Sequence, residues 1–130
     1  MASEQPIIER RQHKRYLVRD GTYAFLRPPA NKIGQIIDIS LSGLAFCYFS
    51  TNGASRDGNG LDLLADEGIC LEDLPYMTIH DFILPSEQPF SQITMRRRCI
   101  KFGPLTAKHQ EYLRRIIDKY GQEKEAADRI

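Results

Sequence analysis

The segment that most constrains this chain is Ile36-Ile37-Asp38-Ile39-Ser40-Leu41-Ser42-Gly43-Leu44-Ala45-Phe46, two apolar runs around a polar centre. It reads as strand, tight turn, strand. β-Branched and aromatic flanks suit a pleated, half-buried surface, while the Asp and Ser side chains can hydrogen-bond the turn backbone and Gly43 can take φ > 0. Asp38 and Ser40 are two apart, so on an extended strand they point to the same face and place a carboxylate beside a hydroxyl. Such a pair is an edge on which a ligand could form hydrogen bonds.

Strand-like runs recur on both sides of this hairpin and argue for a mainly β domain. Thr22 to Leu26 follows an Asp20-Gly21 turn and stops at Pro28-Pro29, and a further strand begins at Ile33. Leu44 to Phe49, Leu61 to Leu64, Gly68 to Leu71, Tyr76 to Leu84 and Gln92 to Phe102 complete the set. Ser50 to Gly60, rich in Asn and Gly, reads as a flexible loop, because no strand-to-helix context or P-loop lysine accompanies its glycines. Thr106 is a good N-cap for a helix running to about Tyr120, with Gly121 as its stop. Tyr112, Leu113, Ile116, Ile117 and Tyr120 form its apolar stripe, suited to packing on the barrel or to a partner face.

At 130 residues, 42% hydrophobic and 27% charged, the chain fits one globular domain. A net charge of +1 argues against a generally basic nucleic-acid binder, so any electropositive site must be local. The local candidate is Glu9-Arg10-Arg11-Gln12-His13-Lys14-Arg15-Tyr16, where Arg11 and Arg15 frame an R-x-x-x-R. It reads either as a solvated charged tail or as an anion site on a mobile arm. Guanidinium forks match phosphate oxygens and the Hoogsteen edge of guanine.

A second basic run, Arg96-Arg97-Arg98, lies inside the last strand. Arg96 and Arg98 share one side and Arg97 takes the other, so one side could line a phosphate groove or all three could be ion-paired surface. Cys47, Cys70 and Cys99 sit in apolar runs and read as buried free thiols rather than metal ligands. The carboxylates Asp66, Glu67, Glu72 and Asp73 have no nearby nucleophile and read as loop charge, and His13, His80 and His109 show no ligand spacing. No run approaches the ~20 apolar residues of a membrane span, and Ile7-Ile8 is too short for a signal-peptide core, which implies the cytoplasm.

R-x-x-x-R followed some two dozen residues later by D-x-S-x-x-G resembles the PilZ-domain family, bacterial receptors for cyclic diguanylate (cyclic di-GMP). The resemblance implies a single small antiparallel, six-stranded, Greek-key-like β-barrel over residues 20–121 with a C-terminal helix. A flexible basic arm over 1–19 would precede it and a frayed tail over 122–130 would follow. It implies a non-enzymatic receptor in which Arg11 and Arg15 meet phosphate and guanine, and Asp38, Ser40 and Gly43 form the opposite wall. Arg10, just before the motif, looks like the version that holds a stacked ligand pair. Arg96 and Arg98 are possible secondary contacts. The chain has no tryptophan, so the stacking contact that some family members place beside guanine is absent or falls to another group. The expected ligand is cyclic di-GMP, with no cofactor or metal, and arm closure would alter the surface offered to an unidentified downstream protein. The expected state is a monomer or weak homodimer with no nucleic-acid partner and no membrane insertion. The competing readings are a nucleotide-independent interaction module on the same barrel and a small barrel for single-stranded nucleic acid, the latter needing an exposed aromatic platform.

Overall fold

The computed structural model of the chain describes residues 14–18, 21–65, 70–85 and 92–123. Its strands are β1 (Tyr16–Val18), β2 (Thr22–Leu26), β3 (Lys32–Ile39), β4 (Gly43–Ser50), β5 (Leu61–Ala65), β6 (Cys70–Leu74), β7 (Tyr76–Ile83), β8 (Thr94–Phe102) and β9 (Gly121–Glu123). One helix, α1 (Ala107–Tyr120), precedes β9. All strand pairs are antiparallel, in the order β6-β5-β2-β3-β4-β8-β7, curled into a half-barrel. The β2-β3-β4 meander, with β5 returning beside β2, is the Greek-key arrangement. Seven strands lie on this path instead of six, and β1 and β9 add a short annex beside β3.

The annex changes the expected ends of the domain. The stretch expected as a free arm ends in a strand, with Tyr16 opposite Ile39 and Leu17 opposite Asp38. The first two residues of the stretch expected as a frayed tail belong to β9, with Gln122 opposite Leu17 and Glu123 opposite Tyr16. Gly121 does stop the helix, but in extended conformation (φ −87°), not the left-handed one. A Cβ there would lie 2.7 Å from the Ile117 carbonyl oxygen and 3.0 Å from the Tyr16 Cβ, so close approach, not handedness, demands glycine.

Helix α1 begins as its sequence predicts. The Thr106 hydroxyl accepts from the His109 amide at 3.0 Å, and the His109 ring nitrogen accepts from the Thr106 amide at 3.3 Å, a capping box with histidine in the usual Glu position. Leu113, Ile116, Ile117 and Tyr120 are buried, and Tyr112 packs at the margin. Each fully buried Leu or Ile contributes about 1.5 to 3 kcal/mol. They join Ile36, Ile39, Leu44, Phe46, Tyr48, Ile100 and Phe102 in one core on the concave side of the sheet.

Two bulges decide which side chains face that core. β3 pairs Ile36 with Phe46 but Asp38 with Ala45, leaving Ile37 as the extra residue. β7 pairs Thr78 with Ile100 but His80 with Cys99, leaving Ile79 extra. A bulge inserts one residue and switches the facing of all that follow. Ile36 therefore faces the core and Asp38, two residues on, faces away from it.

The connection 51–60 is tied down, not free. The Ser55 amide donates to the Tyr48 hydroxyl at 2.9 Å, and the Gly58 amide donates to the Tyr76 hydroxyl at 2.7 Å. The cysteines are less buried than burial preference predicts: Cys47 and Cys99 are half-buried and Cys70 is exposed. No helix among the described residues is long and apolar enough to cross a membrane.

Candidate functional site

Residues paired across antiparallel strands project to the same face. One row, on the face turned away from the core, runs Asp38, Ala45, Cys99, His80. The next runs Cys47, Arg97, Phe82. Asp38 and Ala45 are fully buried yet lie outside the core cluster.

Asp38 is the centre of this face. Arg15 Nη2 donates to its Oδ1 at 2.8 Å, and Arg97 Nη2 donates to its Oδ2 at 3.1 Å. Arg15 can reach it because β1 pairs Leu17 with Asp38, and Arg15 precedes Leu17 by two, which puts both on one face. The carboxylate is 1% exposed, whereas the Arg15 and Arg97 side chains are 25% and 27% exposed. A buried anion thus carries two cations whose outer edges remain open to an arriving phosphate or base edge.

Ser40 is placed differently from its partner. It is buried, its Oγ accepts from the amides of Ser42 (3.0 Å) and Gly43 (3.2 Å), and its own amide donates to the Gly43 carbonyl at 2.8 Å. Its hydroxyl therefore builds the turn that ends β3 and starts β4. Gly43 is not required for positive φ. A Cβ on it would stand 2.3 Å from the Ile100 carbonyl oxygen, so its bareness lets β4 and β8 close together beneath the turn.

The arginine run of β8 divides as alternation requires. Arg97 joins Asp38, and it is the site residue that sequence reasoning missed. Arg96 and Arg98, the predicted secondary contacts, point to the core side instead. Arg96 Nε donates to Asp81 Oδ1 at 2.6 Å, and Arg98 Nε donates to Thr78 Oγ1 at 3.0 Å and lies 3.5 Å from Asp81 Oδ2. Arg98 also donates to the Ser55 carbonyl at 2.7 Å and stands over the Tyr48 ring, 5.9 Å from its centroid. Arg98 holds the 51–60 connection against β7 and β8, and Arg96 ties β8 to Asp81 of β7. The signal for Arg97 was present in the alternation, but which parity faces outward depends on the bulge at Ile37.

Arg10 and Arg11 lie outside the described residues. Cys47, opposite Arg97, has its thiol pushed up by burial, an effect that the neighbouring guanidinium partly offsets. Among the described residues no group of three or more His, Cys, Asp or Glu side chains could hold a metal ion.

No protein-family model and no curated protein matches the chain by sequence. Two solved structures share its fold. The PilZ domain of YcgR from Escherichia coli, determined with c-di-GMP, superposes with a TM-score of 0.62 at 17% identity, covering 93% of this chain and 97% of that one. MrkH, described as a c-di-GMP-dependent transcription regulatory factor, superposes with a TM-score of 0.61 at 16% identity. That match covers 85% of this chain and 50% of MrkH, so the chain spans about half the length of that relative. The fold is that of the PilZ domain.

Proposed function

We propose that the chain is a receptor for cyclic di-GMP that performs no catalysis and acts in the cytoplasm. The observation that carries the reading is the Arg15–Asp38 pair at 2.8 Å, which joins one member of R-x-x-x-R to the first member of D-x-S-x-x-G on the face away from the core. The shared fold with two proteins described with c-di-GMP supports it.

The ligand presents two phosphodiester charges and two guanine bases. Asp38 is the acceptor for guanine N1–H and N2–H₂, and Arg15 with Arg11 supplies forks for phosphate and for the Hoogsteen edge. Arg97 orients the carboxylate from the β8 side, while Ser40 and Gly43 hold the turn that carries it. In the free chain Arg15 and Arg97 already occupy both Asp38 oxygens. A guanine takes the place of one of them on the buried carboxylate, and the freed guanidinium then turns to phosphate. Arm closure follows from that exchange and changes the surface shown to a downstream protein. Arg10, preceding the motif, selects a stacked ligand pair.

Isothermal titration tests this directly. Arg11→Ala and Asp38→Ala each weaken binding at least tenfold, a loss of about 1.4 kcal/mol or more. No detectable binding by the unmutated chain would defeat the reading, and saturation at one ligand per chain would defeat the stacked pair. The prior neutralisation of Asp38 favours one competing reading, a nucleotide-independent interaction module. That module would capture its protein partner equally with and without nucleotide.

A further inference from the structure

The two ends of the sheet are finished differently. β6 is five residues long, exposes Glu72 and Asp73, and has α1 packed against it. Short length, charge and a covering helix are the usual means by which an edge strand avoids pairing. β7 is eight residues long and, among the described residues, pairs only with β8. It contains no lysine, arginine or proline, and its one carboxylate, Asp81, is tied to Arg96.

Apart from His80, what β7 exposes is apolar. Met77 is 58% exposed, Ile79 47%, Phe82 46% and Ile83 57%. Ile93, just before β8, is 54% exposed, and Phe49, opposite Met95, is 63% exposed. Met77 and Phe82 stand opposite Lys101 and Arg97, on the face away from the core, whereas Ile83 stands opposite Arg96 on the core side. Apolar side chains are therefore exposed on both faces of one strand. Only an element that lengthens the sheet can cover both.

We propose that the open edge of β7 is a homodimer interface, with β7 pairing antiparallel to β7 of a second copy about a two-fold axis between Ile79 and His80. The bulge makes this register possible. In a regular strand an axis between two residues would set opposite faces against each other. Here the extra residue Ile79 puts Met77 and Phe82 on one face and Thr78 and Asp81 on the other, as their β8 partners establish. Met77 then meets the second copy's Phe82, a sulfur–aromatic contact, and Thr78 meets its Asp81, like face with like face. A two-fold interface uses one patch twice, and this patch carries no unpaired like charge to oppose that.

The four half-exposed apolar side chains of β7 offer on the order of 400 Å² per copy before the edge backbone is counted, about half of the ~800 Å² that each partner gives to a standard-size interface, which suits a weak dimer. This inference does not depend on the nucleotide reading.

Sedimentation of the full chain from ~1 to ~200 μM reads the outcome, and the dimer forms with a micromolar dissociation constant. Met77→Lys combined with Ile83→Lys, one on each face, weakens dimerisation at least tenfold without lowering the thermal midpoint of the dilute monomer. In the unmutated chain, hydrogen exchange shows the β7 amides that point away from β8 gaining protection as concentration rises, which decides the matter if the double variant fails to fold. A monomer throughout the range overturns the proposal, as does a dimer indifferent to both lysines. β7 amides already protected at the lowest concentration would mean that another part of this chain covers the edge, and would overturn it too.

Discussion

On the core side of β8, Asp81 sits between Arg96 and Arg98. On the far side, Asp38 sits between Arg15 and Arg97. The inventories match, yet the burial differs. In the inner cluster all three partners are sequestered, with the Arg96, Arg98 and Asp81 side chains 11%, 4% and 8% exposed, and Tyr48 adds a hydroxyl donated to Asp81 at 2.6 Å. In the outer cluster the carboxylate is sequestered and a quarter of each arginine reaches solvent. Desolvated cations have their geometry fixed by the fold, whereas cations at the rim regain water when they let go, and the buried Asp38 carboxylate then needs a replacement donor such as a guanine edge. Under the proposed function, the same two residue types make a structural lock on one face and an exchangeable clamp on the other.

The largest effect that would break this contrast is on stability. Asp81→Ala leaves Arg96 and Arg98 buried without their shared counter-charge and costs about 3 to 5 kcal/mol, read from the urea midpoint, while the affinity of the folded fraction for cyclic di-GMP stays within twofold. If Asp38→Ala destabilises the chain as much, the clamp is a lock as well and the distinction fails. The expected loss for Asp38→Ala is instead in binding, at least tenfold, or about 1.4 kcal/mol. Arg97→Ala sharpens the contrast within β8. Its binding falls several-fold, roughly 1 kcal/mol, with a smaller loss of stability than Arg98→Ala, which leaves binding unchanged. Equal behaviour of the two variants would show that facing does not determine their roles.

The smallest effect concerns Tyr48. Tyr48→Phe removes a hydroxyl that donates to Asp81 and accepts from the Ser55 amide, at about 1 kcal/mol. Burial, and then the hydrogen bond to Asp81, raise the Tyr48 phenol above its ordinary 10.0. The unfolded chain therefore gives up this proton first, so stability is intact below pH 10 and declines as pH climbs from there through the raised folded value. Tyr48→Phe removes that part of the alkaline loss. An unchanged alkaline limb in a urea-against-pH series would exclude the phenol as its source.

Much of the fold is legible in the chain. Thr106 and Gly121 bracket the helix, the stripe from Leu113 to Tyr120 gives its buried side, and proline and glycine punctuation sets most strand limits within a few residues. The Asp38 to Gly43 turn follows from local hydrogen-bonding chemistry. β1 and β9 are not legible, because three-residue strands have no period of their own and exist only through each other and β3. The role of Ser40 is half legible: its neighbourhood to the turn is local, but its commitment to the Ser42 and Gly43 amides depends on how β3 and β4 close.

The candidate site divides along the same line. The resemblance carried by R-x-x-x-R and D-x-S-x-x-G sets Arg11 and Arg15 opposite Asp38, Ser40 and Gly43, while residue chemistry alone offers only a guanidinium fork and a carboxylate with no partner assigned. Alternation alone separates Arg97 from Arg96 and Arg98. Only the assembled sheet decides which of these faces inward, because one extra residue at Ile37 and another at Ile79 reverse facing, and bulges arise from pairing between strands distant in sequence. Local sequence fixes what each side chain can bind, and strand pairing fixes the side on which it does so.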